Sequence, residues 1–306
     1  MREHQDDSAL LYDKSEPLSR FPNEEELIRY LYEEERLTQQ QISQILGCCK
    51  ATVLYKMRRY DIKARSKAEA QIIRHGHLRH SFDGDDRHRA YLIGFCVGDC
   101  HTRKLHETGL TIRVDCSSTR LEQIDLFDSL FSSFGHVWRS RPDEKGKILI
   151  VAYLDQSFDF LLDLKDEIPD FIRANDESFF AFFAGYTDAE GYMGINYRGQ
   201  AEFRLQSYDR NILHQIHAML LKVDIQCPKP WINRPKGYTD GKGIRSNRDC
   251  WCLQISGKNS LLTLFERITP YLQHPKRIQD MERALRNIEE RSQSRQGVTP
   301  LSHQSG

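Results

Sequence analysis

The sequence lacks the features that mark several large classes of protein. No apolar run reaches the roughly 18 residues that a membrane-spanning helix needs. The N-terminus has no basic segment followed by an apolar one, which is the layout of a secretory signal peptide. These absences predict an intracellular protein without a membrane partner, located in the cytoplasm or nucleoid, or in an organelle if the gene is organellar.

Cysteine pairs at metal-binding spacing are also missing. The eight cysteines are scattered along the chain, and no Cys-x-x-Cys pair occurs. Cys250 and Cys252 lie two apart in a strand-like run and would share one face of that strand. The pattern predicts reduced thiols in or near the core, and it argues against a structural zinc site.

The chain has no net charge, but its charges are unevenly distributed. Residues 1–36 carry 5 basic and 11 acidic side chains, residues 46–80 carry 9 and 2, and residues 229–248 carry 6 and 1. Phosphate binding depends on a local basic surface and not on the average charge. The two basic segments are therefore candidate nucleic-acid contacts.

The N-terminal part predicts a small helical domain at residues 22–76, after a polar and disordered tail at 1–21. Thr38 is placed to cap a short helix, Gly47 makes a turn, and a basic helix follows. This layout predicts a DNA-binding helix-turn-helix, with a generic three-helix bundle as the alternative. The candidate DNA contacts of this domain are Lys50, Thr52, Lys56, Arg58, Arg59, Lys63 and Arg65.

The rest of the chain reads as an internal repeat. The first half, residues 85–174, and the second half, residues 175–292, each follow the order α-β-β-α-β-β-α, and a disordered tail is predicted at 293–306. The segments LIGFCVGDC and FAGYTDAEG stand at matching points of the halves, with their acids Asp99 and Glu190 91 residues apart. The predicted fold class is α+β, with a duplicated αββαββα unit after an all-α domain.

Small residues in the two segments predict a close packing of helices. Gly94 and Gly98 lie on one face of the first helix, and Gly185 and Ala189 lie on the matching face of the second. Residues with no side chain, or with only a methyl group, let two helices approach at backbone distance. The C-terminal ends of the helices would then meet and bring the two acids together.

Two carboxylates at two helix C-termini are unfavourable, because they repel each other and the negative ends of the helix dipoles. Divalent cations between them would remove this penalty, and oxygen ligands without Cys or His favour Mg²⁺. A Mg²⁺ pair shared by Asp99, Glu190 and a phosphodiester supports in-line attack by water. The alternative is that both acids are caps or ion-pair partners at a helix seam.

The two segments resemble the LAGLIDADG motif of homing endonucleases. FAGYTDAEG is a close match and LIGFCVGDC a looser one, and the resemblance covers about 200 of the 306 residues in a two-motif, single-chain form. It implies halves related by a pseudo-twofold axis, each laying a saddle-shaped antiparallel sheet along the DNA major groove.

The resemblance also implies a reaction. Asp99 and Glu190, with the backbone carbonyls of Gly98 and Ala189, are expected to bind Mg²⁺ while both strands are cut across the minor groove, leaving short 3′ overhangs. Ca²⁺ is expected to support binding without efficient cleavage. A lysine beside the attacking water is expected at the start of the last helix of a half, and the second half offers Lys276.

The sequence departs from the family pattern at two places. The first half has only Arg173 where Lys276 stands in the second half, which argues against equal cleavage of the two strands. Cys100 stands where the family prefers glycine, which is expected to distort the end of the first helix. For each candidate DNA contact in this region, a solvated surface residue or a phosphate contact is the alternative to base readout. These candidates are Arg113, Arg139, Arg141, Arg204, Gln206, Arg234, Lys236, Arg245 and Arg248.

Three functions remain open from the sequence. The first is an intron-encoded, monomeric endonuclease that cuts double-stranded DNA at a long asymmetric site. The second is a DNA-binding transcriptional regulator that does not cleave, and the third is a splicing maturase that binds intron RNA. An intein is disfavoured, because the ends of the sequence lack the residues that protein splicing requires.

Overall fold

The computed structural model describes residues 21–66, 69–70, 79–107, 109–241 and 243–296. The chain divides into two compact units, Met1–Leu78 and Arg79–Gly306. Within the described residues, no helix is both long and apolar enough to cross a membrane.

The second unit begins earlier than the predicted residue 85. The Arg79 guanidinium donates a hydrogen bond to the Thr111 hydroxyl at 2.7 Å, and the Phe82 ring packs against the Phe134 ring. These contacts tie residues before the first helix of the repeat to its sheet and core.

The described part of the first unit is helical. Thr38 caps the second helix in a reciprocal pair of bonds with Gln41, and Gly47 has the left-handed conformation (φ +63°) that the following turn requires. The order of helix, turn and helix is present, and its DNA binding stays a prediction. The helices are α1 (Glu24–Arg29), continued by a π-helical turn (Tyr30–Glu34), α2 (Gln39–Ile45) and α3 (Lys50–Arg59).

The first half of the second unit contains two helices and four strands before its closing turns. These are α4 (Asp86–Asp99), β1 (His101–Lys104), β2 (Ile112–Ser118), α5 (Leu121–Phe131), β3 (His136–Arg139) and β4 (Ile148–Leu154). The last α of the order predicted for this half falls on SFDFLLDLKDEI, residues 157–168, and the prediction of an α-helix there is wrong. A 3₁₀ helix (Gln156–Leu161) ends as the chain turns at Asp163 (φ +53°), and a short helix α6 (Asp170–Arg173) follows.

The second half repeats this order and ends in a long helix. Its elements are α7 (Asp176–Glu190), β5 (Gly191–Ile195), β6 (Ala201–Ser207), α8 (Arg210–Lys222), β7 (Trp231–Arg234), β8 (Cys250–Ile255), α9 (Lys258–Ile268) and α10 (Pro275–Gln296). Residues 293–296 of the predicted tail are helical, because no glycine or proline interrupts α10 there. Residues 1–20, 67–68, 71–76 and 297–306 of the predicted tails and N-terminal domain lie outside the described residues.

Each half holds one four-stranded antiparallel sheet, and the two sheets have the same topology. The strand orders are β1-β2-β4-β3 and β5-β6-β8-β7. Alternate residues of the second strand face the core in both sheets, such as Val114 in β2 and Phe203 in β6. This repeat confirms the predicted α+β fold with a duplicated unit, and a single core encloses α4 and α7.

Candidate functional site

Helices α4 and α7 pack along a seam of small residues. A Cβ atom added to Gly94 would lie 2.1 Å from the carbonyl oxygen of Phe182, and one added to Gly185 would lie 2.2 Å from that of Tyr91. Phe182 lies three positions before Gly185, and Tyr91 lies three positions before Gly94. Each glycine therefore meets the same carbonyl of the other helix, as expected for two helices related by a twofold axis.

The seam continues to the helix ends. A Cβ atom added to Gly98 would lie 2.4 Å from the Cβ of Ala189 and 3.2 Å from the Cγ of Glu190. The structure thus brings all four predicted packing residues, Gly94, Gly98, Gly185 and Ala189, into the seam. Asp99 and Glu190 are the last residues of their helices.

The two motif acids, Asp99 and Glu190, are both partly buried and lie close enough for their charges to interact. Burial raises the pKa of Glu190 from 4.5 to about 7, the charges of Asp99 and Asp209 add to this increase, and Arg277 opposes it. Burial also raises the pKa of Asp99 from 3.8 to about 6, against the charges of Arg277 and Arg120. Desolvation and repulsion therefore outweigh the attraction of the arginines, and the pair is suited to an additional positive charge.

The available ligands around the acids are oxygen atoms. The carbonyls of Gly98 and Ala189 lie in the last turns of α4 and α7, where helical carbonyls have no partner further along the helix. Carboxylate and carbonyl oxygens suit Mg²⁺ or Ca²⁺. The described residues hold no group of three or more His, Cys, Asp and Glu side chains placed for a metal. A cation here would need further oxygens from water or phosphate.

Arg277 acts on both acids, whereas the neighbouring Lys276, the predicted catalytic lysine, is engaged elsewhere. The Lys276 ammonium pairs with Asp280 at 2.5 Å. Arg277 is 8% exposed, its Nε donates no hydrogen bond to a described residue, and its charge lowers the pKa of both motif acids. Successive residues of a helix point about 100° apart, so the first turn of α10 aims only one of the two side chains at the acids.

A third acid, Asp188, fixes the chain just before α10. Its Oδ2 accepts hydrogen bonds from the Tyr91 hydroxyl at 2.6 Å and from the Gln273 N–H at 2.8 Å. Burial raises its pKa to about 6, although these bonds oppose the rise. The matching first-half pair is Val97 and Phe182, so the repeat makes this contact once. The sequence analysis did not identify Asp188 or Arg277 as site residues. The sequence marks Asp188 only as a second acid inside FAGYTDAEG, and no local pattern marks Arg277.

Glu190 opens onto a cavity of about 390 Å³ over the second sheet. The other lining residues are Tyr192, Arg204, Gln206 and Arg234, so three predicted DNA contacts adjoin this acid. Arg204 pairs with the buried Glu202 at 2.7 Å. A neighbouring cavity of about 270 Å³ extends the basic surface and is lined by Tyr208, Arg234, Asp240, Ile244, Arg245, Ser246, Asn247 and Arg248.

The basic connection between β7 and β8 forms a ribbon. The Gly237 N–H bonds to the Ser246 carbonyl at 2.8 Å, and the Ser246 N–H bonds to the Tyr238 carbonyl at 2.8 Å. A bridge between Thr239 and Arg245 extends this pairing. The predicted contact Lys236 is exposed at the base of the ribbon.

The first sheet distributes its predicted DNA contacts over two faces. Arg113 lies opposite the core face of β2 and pairs with Asp115 at 2.9 Å. Arg139 lies across from the core residue Ile150 and pairs with two acids of α5, at 3.0 and 3.2 Å. This side chain therefore points to the helix side of the sheet, away from the face that the predicted DNA contact requires. Arg141 follows β3 and is exposed.

The first unit uses two of its predicted contacts internally. Lys56 pairs with Glu24 of α1, while Arg65 lies 3.8 Å above the Tyr32 ring and donates to the Leu37 carbonyl at 2.9 Å. Thr52 is partly buried. The predicted contacts that remain exposed are Lys50, Arg58, Arg59 and Lys63.

Residues 177–269 match the family model of the LAGLIDADG-like domain. That segment includes Glu190 and runs from α7 to the end of α9, and it leaves out α10. Residues 177–269 are therefore a LAGLIDADG-like domain. No curated protein sequence matches the chain.

Solved structures with a similar fold include two DNA complexes and a full-length DUF199/WhiA protein. I-DmoI in complex with DNA and Mn is 15% identical, with a TM-score of 0.42 over 60% of this chain and 96% of that chain. The homing endonuclease I-WcaI bound to its DNA recognition sequence is 16% identical, with a TM-score of 0.42 over 63% and 84%. Full-length DUF199/WhiA from Thermatoga maritima is 15% identical, with a TM-score of 0.43 over 69% and 63%.

Proposed function

We propose that this chain is a DNA endonuclease that depends on a divalent cation. The observation that carries the proposal is the meeting of Asp99 and Glu190 at the packed ends of α4 and α7. Their raised pKa values show that the nearby arginines do not offset burial and repulsion. The adjoining cavity with Arg204 and Arg234 can receive the phosphates of a nucleic acid.

Asp99 and Glu190 would hold the cation, with the carbonyls of Gly98 and Ala189 as further ligands. Mg²⁺ fits this oxygen donor set, because it commonly binds through one or two carboxylates together with water and substrate phosphates. When bound, it polarises the scissile phosphate and makes water more acidic. Ca²⁺ fits the same oxygens and is expected to support binding without efficient cleavage.

The side chains around the acids have separate roles in binding the DNA and in stabilising the reaction. Arg277 supplies a fixed positive charge where negative charge grows on the phosphate. Arg204 and Arg234 hold the DNA backbone, and Gln206 can read a base edge.

The proposed partner is double-stranded DNA, bound by a monomer because one chain supplies both acids. The two sheets would follow the major groove of a long asymmetric site, and the cuts across the minor groove would leave short 3′ overhangs. Exposed cations of α3 would give the first unit a separate DNA contact. An origin in an intron and a location inside the cell are parts of the same proposal.

A second candidate is DNA binding without cleavage, as in a transcriptional regulator. One observation favours it: Arg173, the only cation in the first-half stretch that corresponds to the start of α10, pairs with Glu167 at 3.7 Å and with Asp170. The first half therefore has no equivalent of Arg277 at this point. Intron RNA is an alternative partner that competition with DNA can test.

Capture and release on a random DNA library tests the proposed function. The protein binds the library in Ca²⁺, Mg²⁺ is added after washing, and the released ends are sequenced. Asp99→Asn and Glu190→Gln serve as matched variants, and RNA is added as a competitor in a parallel binding reaction. New ends at one motif, absent from at least one variant, are expected. DNA enriched equally by all three proteins, with no new ends, would contradict cleavage and support the regulator.

A further inference from the structure

The two motif acids have different surroundings, although the helices that carry them are related by symmetry. Glu190 opens onto the cavity with Arg204 and Arg234. The Asp99 Oδ2 accepts a hydrogen bond of 2.6 Å from the Gln123 amide, and Gln123 is 5% exposed. One oxygen of Asp99 is thus already engaged with a fixed protein donor.

The N-cap residues of the matching helices α5 and α8 increase this difference. Arg120 precedes α5 and acts on Asp99, whereas Asp209 precedes α8 and acts on Glu190. Asp209 accepts bonds from the Tyr186 and Ser207 hydroxyls, both at 3.0 Å, and these neutral donors leave its negative charge in place. Glu190 therefore has an acid as its neighbour where Asp99 has a cation.

Arg277 ranks differently among the charges that act on the two acids. It is itself acted on by the charges of Arg120, Asp188, Asp280 and Asp99, and it heads the charges that favour ionised Asp99. For Glu190, the repulsion from Asp99 and Asp209 ranks ahead of the attraction of Arg277. A divalent cation is consequently attracted more strongly to the Glu190 side, where Asp209 adds negative charge, and is opposed by Arg120 on the Asp99 side, whereas Arg277 acts on both acids.

We propose that the two acids take divalent cations in order, Glu190 first and Asp99 second, and that the chain cuts one DNA strand before the other. The proposal rests on the proposed endonuclease function. Each cut consumes one water: a bond forms from its oxygen to phosphorus, and one bond from phosphorus to a deoxyribose oxygen breaks. The proton that the water loses balances the one that the leaving oxygen gains.

The first test follows a supercoiled plasmid that carries one copy of the recovered site, over a range of Mg²⁺ concentrations. Nicked circles with the same strand cut in every molecule should accumulate at low Mg²⁺, and linear DNA should form as Mg²⁺ rises. Glu190→Gln should abolish both cuts, whereas Asp99→Asn should retain the nick. Linear DNA without a nicked intermediate at all Mg²⁺ concentrations would overturn the order.

A second test measures binding without chemistry, by calorimetric titration of Ca²⁺ into the protein–DNA complex. The wild type should show two unequal sites. Glu190→Gln should remove the tighter site and Asp99→Asn the weaker one. Equal sites, or loss of the tighter site in Asp99→Asn, would contradict the proposal.

Gln123→Met is the matched variant, because it keeps the bulk of the side chain and removes the donor to Asp99. It should tighten the weaker Ca²⁺ site and reduce the nicked intermediate, and an unchanged second site would count against the proposal. The outcomes also distinguish failure of the endonuclease function from failure of the proposed order. A wild type that binds DNA and Ca²⁺ but never nicks or linearises it contradicts the endonuclease, whereas simultaneous cutting of both strands contradicts only the order.

Discussion

Arg277 and Lys276 are adjacent in the sequence but have different environments. Arg277→Met should lower the cleavage rate by about 100-fold or more, because it removes the fixed positive charge beside the acids. Lys276→Met should change the rate by only a few-fold, because the Lys276 ammonium pairs with Asp280. Single-turnover rates on the recovered site, with affinity measured in Ca²⁺, provide the comparison. A larger loss in the lysine variant would assign the role to Lys276.

Burial of Glu190 predicts a pH-dependent stability in the absence of metal. The folded state retains a proton between the ordinary pKa of 4.5 and the raised value of about 7, where the unfolded state has released it. This group therefore lowers the free energy of unfolding as pH rises through that window. Glu190→Gln should raise the melting temperature above pH 7 in EDTA, relative to wild type, and the difference should shrink at lower pH. An identical shift at every pH would contradict a titration effect.

Individual site residues could be predicted from the sequence where they recur at matching points of the two halves, or where close helix packing requires a small residue. The two acids and the seam glycines stand at matching points of the halves. Arg277 could not be chosen over Lys276, because the rotation of α10 about its axis depends on Asp188 and the N–H of Gln273. Such a bond joins residues 85 positions apart and leaves no local pattern.

The seam between α4 and α7 is the element contact on which the site depends. Gly94→Ala and Gly185→Ala should each cost about 1–3 kcal/mol or more, because the added methyl would meet a backbone carbonyl that cannot move independently of its helix. Gly241→Ala is the control, since a Cβ atom there meets nothing within 4 Å. Chemical denaturation measures the three free energies of unfolding, and equal values would contradict the close approach.

Element order was predictable because apolar periodicity and turn residues repeat in the two halves. The end of the first half was not. SFDFLLDLKDEI has enough apolar residues for a helix, but Asp155 caps only a 3₁₀ turn, and the chain reverses at Asp163. The face of β3 was also missed, because a four-residue edge strand without a buried residue does not reveal which of its side chains face the core.

For the whole molecule, charge placement predicts how DNA binding responds to salt. Arg204→Ala or Arg234→Ala should weaken binding and reduce the slope of log affinity against log salt by about 1, because each removes one phosphate contact. Arg139→Ala should leave the slope unchanged, since Arg139 points to the helix side of its sheet, where it pairs with Asp125 and Asp128. Affinities in Ca²⁺ at several salt concentrations test this, and equal slopes for all four proteins would contradict the assigned DNA face.

The first unit contributes a separate prediction. Arg58→Ala with Arg59→Ala should lower DNA affinity without changing the melting temperature, because both side chains are exposed. Arg65→Ala should instead lower the melting temperature, because its guanidinium stacks on Tyr32 and bonds to the Leu37 carbonyl. Calorimetry and DNA titration separate the two effects, and unchanged affinity in the double variant would exclude α3 as a DNA contact.

The central claim is that Asp99 and Glu190 hold divalent cations on DNA. A crystal structure of the chain on its recovered DNA with Mn²⁺, recorded for anomalous scattering, tests it most directly. We predict an anomalous peak within coordination distance of the Glu190 carboxylate, with a phosphate oxygen as a shared ligand, and a second, weaker peak at Asp99. Clear DNA density without an anomalous peak at either carboxylate would contradict the account.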